Sequence, residues 1–312
     1  MFDVIVVGAG PAGLAAATFA ARRKLRTLIL EASSTAGGKP VLVYANKVVD
    51  DLIGFPEGIT GMEIGRMLEK HARKFGVEIK CNARVTEITP LEGGGFVLKD
   101  DKGDEYLAKA VIIAFGMQPR THVGVKGEAM FRGKGVRYML GDPSEVDGKR
   151  VIVVGGGETA VETALMASEK ASSVHLVHRR DMLRADEALI ERLIGRVDVM
   201  YNTIVEELRG EQRLEEALLY NLESRKRWVF KVDEVIFCVG YLPATEILKK
   251  LGVKLSEKGE VVVNRKQETS INGVFAAGDV TGGVMRISTA IGEGVVASLS
   301  AYNYIKKPYW GE

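Results

Sequence analysis

Gly8-Ala9-Gly10-Pro11-Ala12-Gly13 and Gly155-Gly156-Gly157-Glu158-Thr159-Ala160 are two versions of one turn. Each comes after a short run of β-branched residues, at 4–7 and 151–154, and each opens a stretch of helical character, at 12–22 and 158–170. Strand, glycine turn and helix in that order begin a Rossmann βαβ unit. The first glycine makes the tight turn, the second admits a pyrophosphate to the backbone, and the third lets helix and strand pack closely, a place where alanine is also accepted. The helix N-terminus then offers unpaired N–H groups and a partial positive charge to the phosphates. A chain carrying this unit twice is expected to be an α/β protein with two Rossmann-like, three-layer dinucleotide-binding domains.

Further apolar runs at 27–30, 110–114, 174–177 and 234–239 are bounded by glycine or charge. They read as strands buried on both faces, hence as parallel sheets covered by helices. Between the repeats, 95–98 with 106–108 suggests an inserted antiparallel ribbon, and 206–232 a second one. Gly116-Met117-Gln118-Pro119 and Gly240-Tyr241-Leu242-Pro243 mark paired crossing points. The first domain is therefore expected to be discontinuous, 1–116 plus 243–312, with the second domain inserted at 117–242.

The residue 18 positions beyond each turn separates the two sites. The same interval leads from Gly13 to Glu31 and from Ala160 to His178. Glu31, at the end of its strand, is placed to accept hydrogen bonds from a ribose. The other repeat puts His178-Arg179-Arg180 there. A carboxylate repels a 2′-phosphate, whereas guanidinium groups bind one through paired, charge-assisted hydrogen bonds. The second site is thus expected to take NADPH over NADH, through Gly155, Gly157, Glu158 and Thr159 at the turn, His178, Arg179 and Arg180 at the strand end, and Arg184 as a further contact. Two dinucleotide sites suggest a relay, because a nicotinamide delivers two electrons as hydride and a flavin can pass them on singly or in pairs.

The remaining composition excludes more than it assigns. At 312 residues and 46% hydrophobic content the chain can bury a core in each of two domains. Net charge is +2, and runs such as Arg22-Arg23-Lys24 and Arg225-Lys226-Arg227 are too short for a nucleic-acid stripe. Met1-Phe2-Asp3 leads directly into a strand pattern and no apolar run is long enough for a bilayer, so a cytoplasmic protein without membrane attachment is expected. Cys81 and Cys238 lie far apart and read as small core residues, which disfavours a disulfide framework or a metal site. Four histidines and no Ser/His/Asp arrangement give a hydrolase little support.

Over essentially its whole length the chain resembles the thioredoxin reductase-like flavoproteins. The resemblance rests on the first turn, Gly37-Gly38, Gly54-Phe55-Pro56, Ala114-Phe115-Gly116, Gly127-Glu128, Gly133-Lys134-Gly135-Val136, the second turn, His178-Arg179-Arg180, Gly240-Tyr241-Leu242-Pro243 and Val274-Phe275-Ala276-Ala277-Gly278-Asp279. It implies FAD in the first domain, held by Gly8, Gly10, Pro11, Ala12, Gly13 and Glu31. Gly38, Lys39, Asp51, Val85, Gly116 and Gly278 join them by the same resemblance. Asp279 is implied on the ribityl chain, and the backbone of Arg286-Ile287 at the pyrimidine edge of the ring.

One departure decides the branch. Where a thioredoxin reductase carries its Cys-x-x-Cys, directly after Gly135-Val136-Arg137-Tyr138, this chain has Met139-Leu140-Gly141-Asp142, and neither methionine nor aspartate cycles as a thiol. Among relatives lacking that pair, it looks like the ferredoxin or flavodoxin:NADP reductases, whose early loop is matched by Tyr44, Asp51 and Gly54-Phe55-Pro56. Tyr44 then stacks on the isoalloxazine ring or is an ordinary packed loop residue. Two features differ: Lys39-Pro40 replaces the usual Gln-Leu, and the chain stops soon after its last helix, at Tyr309-Trp310-Gly311-Glu312. Tyr309 and Trp310 either anchor the terminal helix or cap a partner subunit's flavin. The leading expectation is NADPH-dependent electron transfer through FAD to ferredoxin or flavodoxin. The alternatives are an NADPH oxidase, or a quinone or other small-acceptor reductase, and a non-catalytic FAD- and NADPH-binding redox sensor. The resemblance also implies a homodimer.

Overall fold

The computed structural model of the chain describes residues 1–308; Tyr309 and Trp310 lie outside them. It divides into two compact units, one formed by 1–118 with 242–312 and the other by 119–241. Where the chain passes between them, the short strands Gln118–Pro119 and Tyr241–Leu242 pair with each other.

In the first unit the strand Phe2–Val7 lies between Thr27–Leu30 and Glu105–Ile113, parallel to both, with Glu78–Lys80 outside Thr27–Leu30. Its β-branched residues suit a strand buried on both faces. Val4 and Val6 enter one core, with Leu14 and Ala17 of the helix Pro11–Arg22 and Ala297 and Ala301 of the helix Ile287–Lys306. Ile5 and Val7 enter the other, with Ile88, Phe96 and Leu98 of the antiparallel strands and Leu248 and Leu251 of the helix Thr245–Leu251. Alternation along one strand therefore produces a three-layer unit. Val4, Ile5 and Val6 are fully buried, each contributing about 1.5–3 kcal/mol relative to exposure.

The helix Pro11–Arg22 starts with proline at its first turn and continues through alanines, the residue of highest helix propensity. Its small side chains also permit close packing. A Cβ on Gly294 of the C-terminal helix would lie 2.2 Å from Ala12 O, so the two helices touch through backbone there. The helix Gly61–Lys74 packs on the same face and is closed by a capping box, Thr60 Oγ1 accepting from Glu63 N and Glu63 Oε2 from Thr60 N.

The second unit repeats the plan. Its parallel sheet runs Val136–Arg137, Glu234–Phe237, Arg150–Val154, Ser173–Val177, Asp198–Met200. Val151 and Val153 pack against Ala160, Val161 and Ala164 of the helix Glu158–Ala167. Ile152 faces Val205, Ala217 and Leu219 of an antiparallel ribbon, Thr203–Arg209, Glu216–Asn221 and Arg227–Lys231.

The α/β class, the two Rossmann-type sheets and both inserted ribbons are as expected from the sequence. Two local expectations change. Residues 106–108 and 110–113 belong to a single strand, Glu105–Ile113, which ends before Ala114; its first half pairs antiparallel with Phe96–Asp100 while its last three residues pair parallel with Val274–Ala276. The helix after the second turn ends at Ala167 and not at residue 170, because Ser168 Oγ donates to Leu165 O and the chain then turns towards the next strand.

Candidate functional site

At the first turn, Gly8 N donates to Leu30 O at 2.8 Å and Gly8 adopts φ +106°. A side chain there would meet Ala114 O at 2.6 Å and Phe115 Cα at 2.7 Å, so the turn is pressed against the segment leading to Gly116. Gly13 is fixed even more tightly, since a Cβ would lie 1.9 Å from Gly8 O. Gly10 is the N-cap of Pro11–Arg22, with no side-chain cap and no acidic residue in the first helical turn. That leaves the positive end of the helix for an anion.

Three further segments converge on this turn. Gly37 N donates to Ala9 O at 2.8 Å, and a Cβ on Gly38 would lie 2.7 Å from Gly10 Cα. A Cβ on Gly278 would lie 2.8 Å from Ala12 Cβ, which brings Asp279 to the start of the same helix. Glu31, buried at 8% exposure, accepts from Ala9 N at 2.6 Å through Oε2 and from Ser33 N at 2.8 Å through Oε1. Lys39 Nζ donates to Asp279 Oδ2 at 2.6 Å, while Oδ1 of Asp279 has no donor among the described residues. Backbone crowded out of every position where a side chain would intrude, together with an acceptor oxygen left over, fits an extended polyhydroxyl and phosphate group lying across the turn.

The other implied residues lie in the same unit. Asp51 and Arg286 form an ion pair, Nε to Oδ2 at 3.6 Å, and Arg286 precedes Ile287 at the start of the last helix. Tyr44 is half-buried, against the small core of Val49, Ile59 and Ile64, with Ile287 on the same core. Lys47 Nζ lies 5.8 Å from the centre of its ring. Val85 begins the strand Val85–Pro90, two residues past Ala83, whose N donates to Glu31 O at 2.8 Å. A residue that sequence reading missed is Glu293, whose Oε2 accepts from Gly278 N at 2.7 Å and so fixes the turn that carries Asp279. Its signal was present: a single carboxylate between Gly292 and Gly294 in an otherwise apolar and small-residue helix.

The second turn has the same construction. Gly155 N donates to Val177 O at 3.1 Å, and a side chain at Gly155 would meet Cys238 O at 2.5 Å. Gly157, the N-cap of Glu158–Ala167, has no atom within 4 Å of a built Cβ and no side-chain cap, so the face above it is open; Thr159 lies in the first turn of that helix. His178 is buried at 6% exposure and lies so close to Gly156 that a Cβ there would fall 2.1 Å from the imidazole. Burial, with Arg184 and Arg180 adding positive charge nearby, pushes His178 below its ordinary value, so the ring is neutral at pH 7. Its Nε2 is buried without a hydrogen-bond partner among the described residues. Arg184 N donates to Gly156 O at 2.6 Å, which folds the loop after the strand back over the turn. Arg179, Arg180 and Arg184 are exposed, and none enters an ion pair among the described residues. His178 therefore packs the turn, whereas Arg179, Arg180 and Arg184 stay exposed.

The segment 139–142 is a structural cap. Leu140 is buried, Asp142 Oδ1 accepts from Ser144 N at 2.9 Å, and Glu145 Oε1 accepts from Gly141 N and Asp142 N. Both cysteines are free, and burial pushes the Cys238 thiol up to about 11 and raises that of Cys81 as well. No helix of the described residues is long and apolar enough to cross a membrane.

The chain is similar to known proteins. Residues 2–294 match the family model described as pyridine nucleotide-disulphide oxidoreductase. The chain is 36% identical to the ferredoxin--NADP reductase of Ignicoccus hospitalis, covering 99% of this chain and 100% of the relative. It is 35% identical to the thioredoxin reductase of Bacillus subtilis, covering 98% and 96%. Among solved structures it is similar to Lactococcus lactis thioredoxin reductase, with a TM-score of 0.91 at 29% identity over 99% of this chain and 100% of the other. It is likewise similar to T. acidophilum thioredoxin reductase, at 0.89 and 34% over 97% and 98%.

Proposed function

The chain belongs to the pyridine nucleotide-disulphide oxidoreductase family, and from that premise we propose that it is an FAD-dependent ferredoxin--NADP reductase. The observation that carries this reading is the pairing of two glycine turns of opposite charge preference with a non-thiol segment at 139–142. Relatives named ferredoxin--NADP reductase and thioredoxin reductase stand at similar identity, 36% and 35%, so similarity alone does not choose between them. Met139 and Asp142 do, because a disulfide reductase of this kind needs a dithiol there.

In this reading FAD lies along the first turn. The N-terminus of Pro11–Arg22 faces its pyrophosphate. Glu31 carries about four lone-pair sites, of which Ala9 N, Ser33 N and Ser33 Oγ use three, so one remains for a ribose hydroxyl. Asp279 Oδ1 would accept from the hydroxyls of the flavin's side chain. Arg286, paired with Asp51, would offer backbone at the start of the last helix to the ring, and Tyr44 would be a further flavin contact. NADPH would be held at the second turn, with Arg179, Arg180 and Arg184 for its 2′-phosphate and His178 packed on Gly156. When bound, FAD supplies the chemistry that side chains lack, taking two electrons as hydride and releasing them to a one-electron carrier.

The test is NADPH-driven cytochrome c reduction under anaerobic conditions, with and without ferredoxin. Strong stimulation by ferredoxin is expected. NADPH consumption matched by peroxide in air and indifferent to ferredoxin assigns the protein to the small-acceptor reductases instead.

A further inference from the structure

Lys39 stands where the resemblance leads one to expect glutamine, and it is not a free surface lysine. It comes directly after Gly38, whose backbone touches Gly10, and its ammonium reaches Asp279 Oδ2 at 2.6 Å with the two side chains only 25% and 17% exposed. Asp279 is itself held from behind. Glu293 Oε2 accepts from Gly278 N at 2.7 Å and from Thr281 Oγ1 at 3.2 Å, so the turn bearing Asp279 is pinned to the last helix. Burial pushes Glu293 above its ordinary value, and the charge of Asp279 adds to the shift.

We propose that Lys39 is a positioning residue for the flavin: it binds one oxygen of Asp279, turns the other towards the flavin's side chain, and makes the pair electrically neutral. The inference rests on the FAD reading of the first turn. Its consequence concerns reduction. A carboxylate without its cation opposes the gain of electrons by a nearby flavin, whereas a neutral pair does not, and the separation from water at these exposures leaves the charge effect only partly screened. A glutamine in place of Lys39 keeps the hydrogen bond and loses the charge.

Four variants separate charge from packing: Lys39→Gln, Asp279→Asn, the two combined, and Lys39→Arg. Glutamine is the residue expected by resemblance and asparagine keeps Oδ1 as an acceptor, so the fold tolerates both. Two quantities are read, the dissociation constant for FAD and the two-electron midpoint potential of the bound flavin. Lys39→Gln is expected to weaken binding of the reduced flavin about tenfold more than of the oxidised one, a fall of about 30 mV. Asp279→Asn shifts the potential upward, the double variant returns close to wild type, and Lys39→Arg stays there. A Lys39→Gln protein with weaker FAD binding and an unchanged potential overturns the proposal in favour of simple packing, as does a double variant whose potential stays as low as that of Lys39→Gln. A wild-type chain that takes up no FAD overturns the underlying reading as well.

Discussion

Glu31 and His178 occupy one place in two copies of a motif. Each is the first residue past a strand whose last carbonyl accepts a hydrogen bond from the first glycine of the turn, Leu30 O from Gly8 N at 2.8 Å and Val177 O from Gly155 N at 3.1 Å. The backbone is shared and the side chain is not. Glu31 folds inward onto Ala9 N and Ser33, while His178 packs on Gly156 and leaves Arg179 and Arg180 outside.

That division predicts the donor preference. If Arg179 and Arg180 bind the 2′-phosphate as proposed, replacing both by alanine removes charge-assisted hydrogen bonds worth about 1.5–3 kcal/mol each, so kcat/KM for NADPH should fall by about 10- to 100-fold per arginine or somewhat less where they share a phosphate. Turnover with NADH should change little. Equal losses with the two donors would place the arginines away from the 2′-phosphate.

The third position of each turn predicts an asymmetry in stability. Gly13→Ala drives a methyl to 1.9 Å from Gly8 O, and overpacking against backbone costs about 1–3 kcal/mol or more. Ala160→Gly, at the matching place, creates no clash and should cost the helix preference, about 1 kcal/mol, plus about 0.8 kcal/mol for its buried methyl. Urea midpoints of the two variants, with FAD retention for the first, check the order.

The second unit carries an acid-side pH dependence. Arg150 donates through Nε and Nη2 to Asp233, holding its carboxyl down to about 2 from an ordinary 3.8. Because the folded value lies below the unfolded one, the stabilisation is present above pH 3.8 and disappears as pH falls through about 2. Both side chains are partly exposed, 40% and 29%, so screening reduces the contribution to about 1 kcal/mol. Wild-type unfolding free energy should drop by that amount over this window relative to Asp233→Asn, and parallel curves would remove the pair from the explanation of acid sensitivity.

The cysteines predict a negative result with a control. With the Cys238 thiol pushed up to about 11 and Cys81 also raised, neither is a thiolate at pH 7 and neither is suited to disulfide exchange. Joint replacement, Cys81→Ser with Cys238→Ser, should leave NADPH-dependent ferredoxin reduction within about twofold of wild type, since Cys238 meets the second turn through its backbone O, which serine keeps, and its thiol bonds Thr163 Oγ1, which a serine hydroxyl can also do. NADPH-dependent reduction of thioredoxin by the wild type, abolished in the double variant, would contradict the non-thiol reading of 139–142.

What the sequence discloses here is what local geometry controls. The turns, their strands and the residue 18 positions on are fixed by one βαβ unit, so Glu31 and His178 are readable from spacing. Charge type alone does not reveal side-chain direction, however, and the burial of His178 beside exposed Arg179 and Arg180 emerges only once Gly156 is seen against its ring. Contacts across long stretches of chain are harder still. Lys39 meeting Asp279, Asp51 meeting Arg286 and Glu293 supporting Gly278 depend on how the last helix lies on Pro11–Arg22, and no periodicity encodes that. The single strand Glu105–Ile113 reads as two segments in the sequence because its halves have different neighbours and therefore different patterns, alternating where it joins the ribbon and continuously apolar where it joins the parallel sheet.

Electron flow from NADPH through FAD to ferredoxin is tested most directly by a single-turnover experiment without oxygen. FAD-loaded protein is mixed with one equivalent of NADPH, the oxidised-flavin absorbance is followed, and ferredoxin is then added. Rapid bleaching is expected with NADPH, much slower bleaching with NADH, and recovery of the absorbance on addition of ferredoxin as the ferredoxin becomes reduced. Flavin that does not bleach, or that bleaches and stays reduced in the presence of ferredoxin, would rule this path out.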